Sequence, residues 1–273
     1  MTSALFGFTG FVGGNLESQH GFDDLFNSAN SAESLGRHYD LVVFAAARAE
    51  KWRINQDAAT DLLHIGQLEA LVSGVSATRF VLISTVDVYR DPTAVDEHTP
   101  IVTEGLDPYG AHRYQLEQHV RAVHPDALIV RLPGLFGPGL RKNVLFDLLH
   151  DNNLDRVNTD AAFQYYSLAH LFQDVTLALN SDLRLVNLTS PPLRTADLAR
   201  LAFGREFENL PGGGRGPSIP AAKRYDVRTV HASVFGGTAP YTRSAAQTLA
   251  ELTAFVAAQR ATSPGLASQG LTS

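Results

Sequence analysis

Short apolar runs alternate with stretches of helical periodicity along most of the chain. The runs at 41–45 and 80–83 are apolar without polar/apolar alternation, as expected for strands that are buried on both faces. The predicted strands are residues 4–7, 24–26, 41–45, 80–84, 127–132 and 185–188. The predicted helices are residues 11–19, 58–72, 109–123, 144–149, 168–179, 196–203 and 245–258. This alternation predicts an α/β fold in which a doubly wound parallel sheet carries helices on both faces.

The first predicted strand runs into a glycine-rich turn that leads directly into the first predicted helix. Gly7, Gly10 and Gly13 recur in it at intervals of three. Such a turn brings backbone N–H groups close to a pyrophosphate, and the helix presents the positive end of its dipole. The predicted dinucleotide contacts are Gly7, Thr9, Gly10, Phe11, Val12 and Gly13. An ordinary surface turn is the alternative interpretation.

The end of the second predicted strand bears on the choice of dinucleotide. Many nicotinamide enzymes have an acidic residue there for the ribose hydroxyls or a basic residue for a 2′-phosphate. Here Asn27-Ser28-Ala29-Asn30 follows the strand, so neither type is present. The lack of a basic residue favours NAD, with NADP not excluded. Asn27 is interpreted either as a ribose contact or as a turn residue.

Composition limits the classes of partner and site. The 273 residues are 44% hydrophobic, enough for one large domain or a core domain with a smaller companion. A net charge of −6 without a long basic run argues against nucleic acid. The absence of cysteine excludes thiolate chemistry, and no histidine spacing predicts a metal. No signal-like start or long apolar run is present, so we expect a cytoplasmic protein without a membrane partner.

Three polar side chains mark a candidate proton-transfer site. Thr85 stands at the carboxyl end of a buried strand, where open α/β sheets place their ligands; a Ser/Thr pair that only ends the strand is the alternative interpretation. Tyr109 begins a predicted helix, and Arg113 follows four residues later on the same face. A nearby cation favours phenolate and lowers the pKa of a tyrosine. These residues predict proton exchange with a carbonyl or alcohol.

Residues 4–188 resemble an extended short-chain dehydrogenase/reductase of the NAD-dependent epimerase/dehydratase branch, whose members act on nucleotide sugars. The motifs that carry the resemblance are Gly7-x-x-Gly10-x-x-Gly13, Ala45-Ala46-Ala47, Ser84-Thr85-x-x-Val88-Tyr89, Pro108-Tyr109-Gly110-x-x-Arg113 and the stretch from Arg131 through Pro133 to Pro138. The aromatic-rich segment 164–171 is a weaker match. The resemblance implies a Rossmann-type sheet with a smaller substrate lobe.

The resemblance also implies roles for individual residues. Thr85 matches the residue that polarises the substrate oxygen, and Tyr109 matches the general acid/base that works while hydride moves to or from the nicotinamide. Arg113 stands where the family usually has lysine, which bridges the nicotinamide ribose and lowers the tyrosine pKa. The residues implied to line the cofactor are Ala45, Ala46, Ala47 and the backbone near Pro133.

The resemblance further implies interleaved domains. The dinucleotide-binding domain would comprise residues 1–133 and about 163–189, and the substrate lobe about 134–162 and 190–260. Residues 261–273 are expected to be a flexible tail, and the Pro/Gly-rich stretch 209–220 a loop. Family members often pair as homodimers through two helices of each chain, which would here be 58–72 and 109–123.

Departures from the family pattern leave alternatives open. Arg113 keeps a permanent charge, but its planar fork is bulkier than an ammonium. Val86 and Asp87 stand where 4,6-dehydratases carry an Asp-Glu pair, which argues against that dehydration. The candidate reactions are then epimerisation and net reduction of a keto sugar. A dinucleotide-binding sensor or scaffold without turnover, and a reductase of a non-sugar carbonyl compound, are the alternative functions.

Several weaker candidates surround this set. Asp87 is interpreted as a sugar-hydroxyl contact or a solvated strand-end acid. Arg141 and Lys142 are interpreted as diphosphate ligands or as a solvated helix start. His64, where the family often has asparagine, is expected to be a structural histidine. The remaining candidates for the substrate cleft are Arg48, Lys51, Trp52, Lys223, Arg224 and Arg228.

Overall fold

The computed structural model describes residues 2–209 and 219–262. The strands are β1 Ser3–Phe6, β2 Asp24–Phe26, β3 His38–Phe44, β4 Ser76–Thr85, β5 Thr93–Val95, β6 Leu128–Leu132, β7 Gly134–Phe136, β8 Ala162–Phe163, β9 Tyr165–Ser167, β10 Leu185–Asn187, β11 Leu193–Arg194 and β12 Asp226–Val227. The helices are α1 Phe11–Gln19, α2 Lys51–Gln56, α3 Ala58–Gly74, α4 Pro108–Val123, α5 Val144–His150, α6 Leu171–Asn180, α7 Thr195–Phe203 and α8 Ala245–Thr262.

Six strands form a central sheet in the order β10-β6-β4-β3-β1-β2. Every pairing in it is parallel. Parallel neighbours need crossover connections, which the helices supply. The predicted α/β class with a parallel, Rossmann-type sheet is therefore confirmed.

Two apolar clusters cover the two faces of this sheet. Leu5 and Val43 belong to the cluster on one face, together with residues of α6. Phe6 and Phe44 belong to the cluster on the other face, together with residues of α3 and α4. Successive residues of a strand point to opposite faces, so a strand between two helical layers must be apolar at every position. This explains the unalternated runs in the sequence.

Helix and strand bounds follow the predicted pattern closely, with differences at the ends. β3 and β4 begin earlier than expected because the polar residues His38 and Ser76 also pair in the parallel register. The predicted helix 168–179 begins as a 3₁₀ turn at Leu168–His170 before α6. α8 extends to Thr262, so the first two residues of the expected tail are helical. Residues 263–273 of that tail and 210–218 of the expected loop lie outside the described residues.

A second group of elements packs beside the carboxyl edge of the sheet. The short pairs are β7 with β9, β8 with β11 and β5 with β12. Helices α5, α7 and α8 share a separate apolar cluster that includes Leu145, Leu198 and Leu252. The division into a dinucleotide domain and a substrate lobe stays a prediction. None of the described helices combines the length and apolar character needed to cross a membrane.

Candidate functional site

The turn between β1 and α1 requires glycine at two positions. Gly7 adopts φ +85°, and a Cβ there would lie 2.5 Å from the carbonyl oxygen of Ala45. A Cβ at Gly13 would lie 2.1 Å from the carbonyl oxygen of Gly7. Both contacts are with backbone, which cannot move aside cheaply. Gly10 is the N-cap of α1, where no side chain of the described part of the chain caps the first turn.

The ends of β1 and β3 meet beside this turn. The Ala45 N–H donates to the Phe6 carbonyl at 2.9 Å, so residues 45–47 lie next to the glycine turn. On the other side of β1, the Asn27 side chain accepts from the Ala29 N–H at 2.8 Å. This bond gives Asn27 the turn role that was considered for it. A contact of Asn27 with the ribose stays a prediction.

Thr85 and Tyr109 are brought together as the sequence predicts. Thr85 ends β4, and Tyr109 is the second residue of α4, after Pro108 at a position that favours proline. The Tyr109 N–H donates to Asn55 Oδ1 at 3.0 Å. The Thr85 hydroxyl lies close enough to Tyr109 to act on its pKa. Pro133 directly follows β6, where Leu132 pairs with Thr85.

Burial dominates the ionisation of Tyr109. Loss of solvent, reinforced by the charge of Asp87, raises the pKa of Tyr109 to about 12. Arg113 and the Thr85 hydroxyl act in the opposite direction but do not outweigh burial. The lowering effect expected of Arg113 is therefore present, while the resulting pKa of Tyr109 lies above its usual value.

Arg113 is held from three sides rather than extended towards open space. Its Nη1 and Nη2 donate to the two carboxylate oxygens of Asp61 at 2.9 and 3.1 Å. Nη2 also donates to the Arg48 carbonyl at 2.5 Å. The guanidinium carbon lies 4.8 Å from the centroid of the Tyr109 ring, a cation–π distance. Sequence reasoning missed Asp61, because a tertiary contact across 52 residues has no local signal.

Asp61 also contacts a histidine. His112 Nδ1 lies 2.8 Å from Asp61 Oδ2. Burial acts to raise the pKa of Asp61, but the hydrogen bonds from Arg113 and His112 outweigh it and leave that pKa below its usual value. Asp61 is therefore a buried carboxylate that stays charged.

Two buried nitrogen atoms near this pair have no hydrogen-bond partner among the described residues. They are Arg113 Nε and His64 Nε2. Burial and the charge of Arg48 lower the pKa of His64, which favours its neutral form. His64 is partly buried, as expected of a structural histidine. Buried polar atoms normally find partners, so these atoms mark a place suited to a polar ligand.

A second polar cluster borders a cavity. Asp87 Oδ1 accepts from Lys51 Nζ at 2.6 Å and from the Tyr225 hydroxyl at 2.8 Å. The cavity measures about 390 Å³, and its lining also includes Arg90 and Arg224. Burial and the charge of Asp87 raise the pKa of Tyr225. The cluster joins α2, the end of β4 and the segment before β12.

The cationic candidates differ in their surroundings. Lys142 Nζ donates to the carbonyl of Ala49. Ala49 directly follows Arg48, whose carbonyl accepts from Arg113. Arg141 is exposed. Lys51 faces the cavity, as considered from the sequence, whereas Trp52 is 65% exposed and does not pack in the core.

A buried ion pair behind the site was not predicted. Arg131 donates from Nε and Nη2 to the Glu117 carboxylate at 3.0 and 2.6 Å, and both side chains are buried. Ser84 donates to the same carboxylate at 2.5 Å. Arg131 Nη1 also donates to the Tyr89 hydroxyl at 2.8 Å. This network ties β4, α4 and β6 together directly beneath Thr85.

Comparisons with known proteins bear on the family and the fold. The sequence model of the NAD dependent epimerase/dehydratase family matches residues 22–156. No curated protein sequence matches the chain.

Several solved structures share the fold. A dTDP-4-dehydrorhamnose reductase from Clostridium acetobutylicum has a TM-score of 0.71 at 16% identity, covering 95% of this chain and 100% of that one. A UDP-galactose 4-epimerase has a TM-score of 0.70 at 16% identity, covering 95% and 99%. A double mutant of the dTDP-glucose 4,6-dehydratase DesIV from Streptomyces venezuelae, solved with NAD and DAU bound, has a TM-score of 0.73 at 17% identity, covering 97% and 100%. The resemblance to the NAD-dependent epimerase/dehydratase family, found first in the motifs, is thus confirmed by that family's sequence model and by the fold.

Proposed function

We propose that this chain is an NAD(P)-dependent oxidoreductase or epimerase that acts on a nucleotide-linked sugar, with NAD the favoured dinucleotide. The observation that carries the proposal is the Thr85–Tyr109 pair at the carboxyl edge of the sheet, separated by the single strand β3 from a turn that requires glycine. MoeE5, a protein that shares the fold, was solved in complex with UDP-glucose and NAD. That complex supports both the proposed cofactor and the proposed substrate class.

The residues fit a dinucleotide. A Cβ at Gly13 would fill the space between α1 and the β1 turn, and no side chain competes for the first turn of α1 within the described residues. An uncapped helix start accepts a phosphate. The proposed cofactor contacts are Gly7, Thr9, Gly10, Phe11, Val12, Gly13, Asn27, Ala45, Ala46, Ala47 and Pro133. When bound, the nicotinamide would supply the hydride acceptor or donor.

The chain's own residues would handle the proton. Thr85 would donate a hydrogen bond to the reacting oxygen of the sugar and orient it towards Tyr109. The Tyr109 hydroxyl would give a proton to that oxygen during reduction, or take one from it during oxidation. Arg113, through its charge over the Tyr109 ring, would stabilise the phenolate that forms.

The reaction type follows from what stands beside Thr85. Asp87 is engaged with Lys51 and Tyr225 on the cavity wall, and Val86 supplies no acid. We therefore propose epimerisation or net reduction in preference to 4,6-dehydration. Asp87 is proposed to contact a sugar hydroxyl, and Arg141 and Lys142 a diphosphate.

One observation favours the alternative of a dinucleotide-binding sensor or scaffold. Arg113 is committed to Asp61, and burial keeps the pKa of Tyr109 at about 12. Proton transfer is most efficient when the pKa lies near the working pH, so a chain without a further activating partner would bind the dinucleotide and not turn it over.

Substitution of Tyr109 tests the enzyme proposal. Tyr109→Phe removes the hydroxyl and keeps the ring under Arg113. We expect kcat to fall by about 10²–10⁴-fold, the usual contribution of general acid/base catalysis, with dinucleotide binding retained. Tyr114→Phe, on the same helix, is the matched control and should keep its activity. Full turnover by Tyr109→Phe would remove the proposed mechanism.

A homodimer is proposed from the surface of α3. Leu63 is 73% exposed and Leu62 is 45% exposed. Both lie on α3, which packs against α4. Contiguous exposed apolar surface marks interaction sites, and the resemblance implies pairing through these two helices. A second copy of this chain, packing the same two helices, is the proposed partner.

A further inference from the structure

Asp61 places a negative charge directly behind the proposed proton-transfer group. It lies on α3, is 2% exposed, and uses both carboxylate oxygens on Arg113. Oδ2 also contacts His112. A two-point bond of this kind fixes the plane of a guanidinium, which a lysine ammonium at the same position could not match.

The fixed plane of the guanidinium determines which part of Tyr109 Arg113 contacts. With Nη1 and Nη2 bound to Asp61 and Nη2 also bound to Arg48, the guanidinium faces the Tyr109 ring rather than its hydroxyl. Asp61 balances the positive charge within hydrogen-bond distance. The electrostatic field at the Tyr109 hydroxyl is therefore that of a neutral ion pair and not that of an isolated cation.

We propose that Asp61 is a positioning residue: it holds Arg113 over the ring of Tyr109, and its charge limits how strongly Arg113 favours the phenolate form. The inference rests on the proposed function only for the role of Tyr109 in proton transfer. It identifies the Asp61–Arg113 pair as a charged element that, beside burial and Asp87, adjusts how readily this tyrosine loses its proton.

Other charged groups around Tyr109 are unchanged by a substitution at position 61. Asp87, bound to Lys51 and Tyr225, faces the tyrosine from the end of β4. His64 and Arg48 lie near Arg113. Their contributions are common to the wild type and the variant, so a difference between the two reports on position 61.

The test is a pH titration of the free protein labelled with ¹³Cζ-tyrosine and followed by NMR. The Tyr109 signal is assigned by its loss in Tyr109→Phe. In Asp61→Asn the side chain keeps its size but loses its charge. We expect the Tyr109 midpoint to move to lower pH by about one pH unit, a tenfold rise in the phenolate-to-phenol ratio at fixed pH.

Asp174 supplies the matched control. It is 1% exposed and accepts two bonds from Arg243 Nη2, at 2.9 and 2.8 Å, and a third from Tyr166. Asp174→Asn should leave the Tyr109 midpoint unchanged. A folded Asp61→Asn with an unchanged or raised midpoint would overturn the proposal, as would an equal shift in Asp174→Asn.

A double variant covers failure of the single variant to fold. Asp61→Asn/Arg113→Gln removes both charges and leaves no buried charge unpaired. Its Tyr109 midpoint should lie at or above that of the wild type, and a midpoint below the wild type would overturn the proposal. The titration contains no dinucleotide or sugar, so its failure is distinguishable from a failure of the proposed enzyme function.

Discussion

At the scale of single residues, the sequence carries the reacting groups but not their neighbours. Thr85 and Tyr109 were predicted together because each stands at a recognisable point, a strand end and a helix start. Asp61 was not, since its contact with Arg113 depends on how α3 packs against α4. The same holds for Glu117 and Arg131, which meet only when β6 lies beside α4.

Asp61 should make the free energy of unfolding depend on pH in the acid range. Its pKa is lower in the folded state than its ordinary value, so its contribution is fully present above the unfolded pKa of about 3.9 and disappears as pH falls through the folded value. We expect the free energy of unfolding to decrease on acidification below about pH 4. Urea denaturation at several pH values measures this. The dependence should be weaker in Asp61→Asn/Arg113→Gln, and an equal dependence would contradict the assignment to Asp61.

The Glu117–Arg131 pair should be costly to break from one side. Glu117→Gln leaves the buried Arg131 without its counter-charge, which typically costs about 3–5 kcal/mol. Chemical denaturation measures the difference. Asp126→Asn breaks the exposed ion pair with Arg184 and should cost less than about 1 kcal/mol. Equal losses in the two variants would contradict the role given to burial.

At the scale of elements, the long strands and helices were predictable because burial on both sheet faces and helical periodicity are local patterns. The short strands outside the central sheet were not. β5, β8, β11 and β12 have two or three residues each and exist through partners that are distant in sequence. α2 was missed as well, because its six residues are too few to show a periodic apolar face.

The β1–α1 turn predicts a sharp contrast between adjacent glycines. Gly13→Ala would put a Cβ 2.1 Å from the Gly7 carbonyl oxygen, so the turn must distort. Gly14→Ala meets its nearest atom at 3.4 Å and fits. We expect Gly13→Ala to weaken NADH binding at least tenfold, and Gly14→Ala to bind as the wild type does. Nicotinamide fluorescence measures both, and equal affinities would contradict the proposed role of the turn.

At the scale of the whole molecule, the α/β class with a parallel sheet followed from the order of elements, whereas the way the carboxyl-terminal segments reach the site did not. Glu97 accepts from the Asn187 N–H at 2.7 Å and from Thr229 Oγ1 at 2.6 Å. These bonds anchor the segment that brings Tyr225 to Asp87. No sequence motif predicts these hydrogen bonds of Glu97.

The proposed dimer makes a prediction at this scale. Leu63→Glu should shift the protein from dimer to monomer in light scattering, because it places a charge in the proposed helix-pair interface. Leu201→Glu, at a leucine that is 42% exposed on α7, should not. A wild-type protein that is monomeric at all concentrations would contradict the dimer.

Titration of the purified protein with NADH, and separately with NADPH, tests the central claim most directly. Nicotinamide fluorescence follows binding, and a panel of nucleotide-linked 4-keto sugars is then added. We predict that NADH binds and that one keto sugar abolishes its fluorescence by oxidation in the wild type but not in Tyr109→Phe. Failure of both dinucleotides to bind would contradict the dinucleotide site and the function built on it.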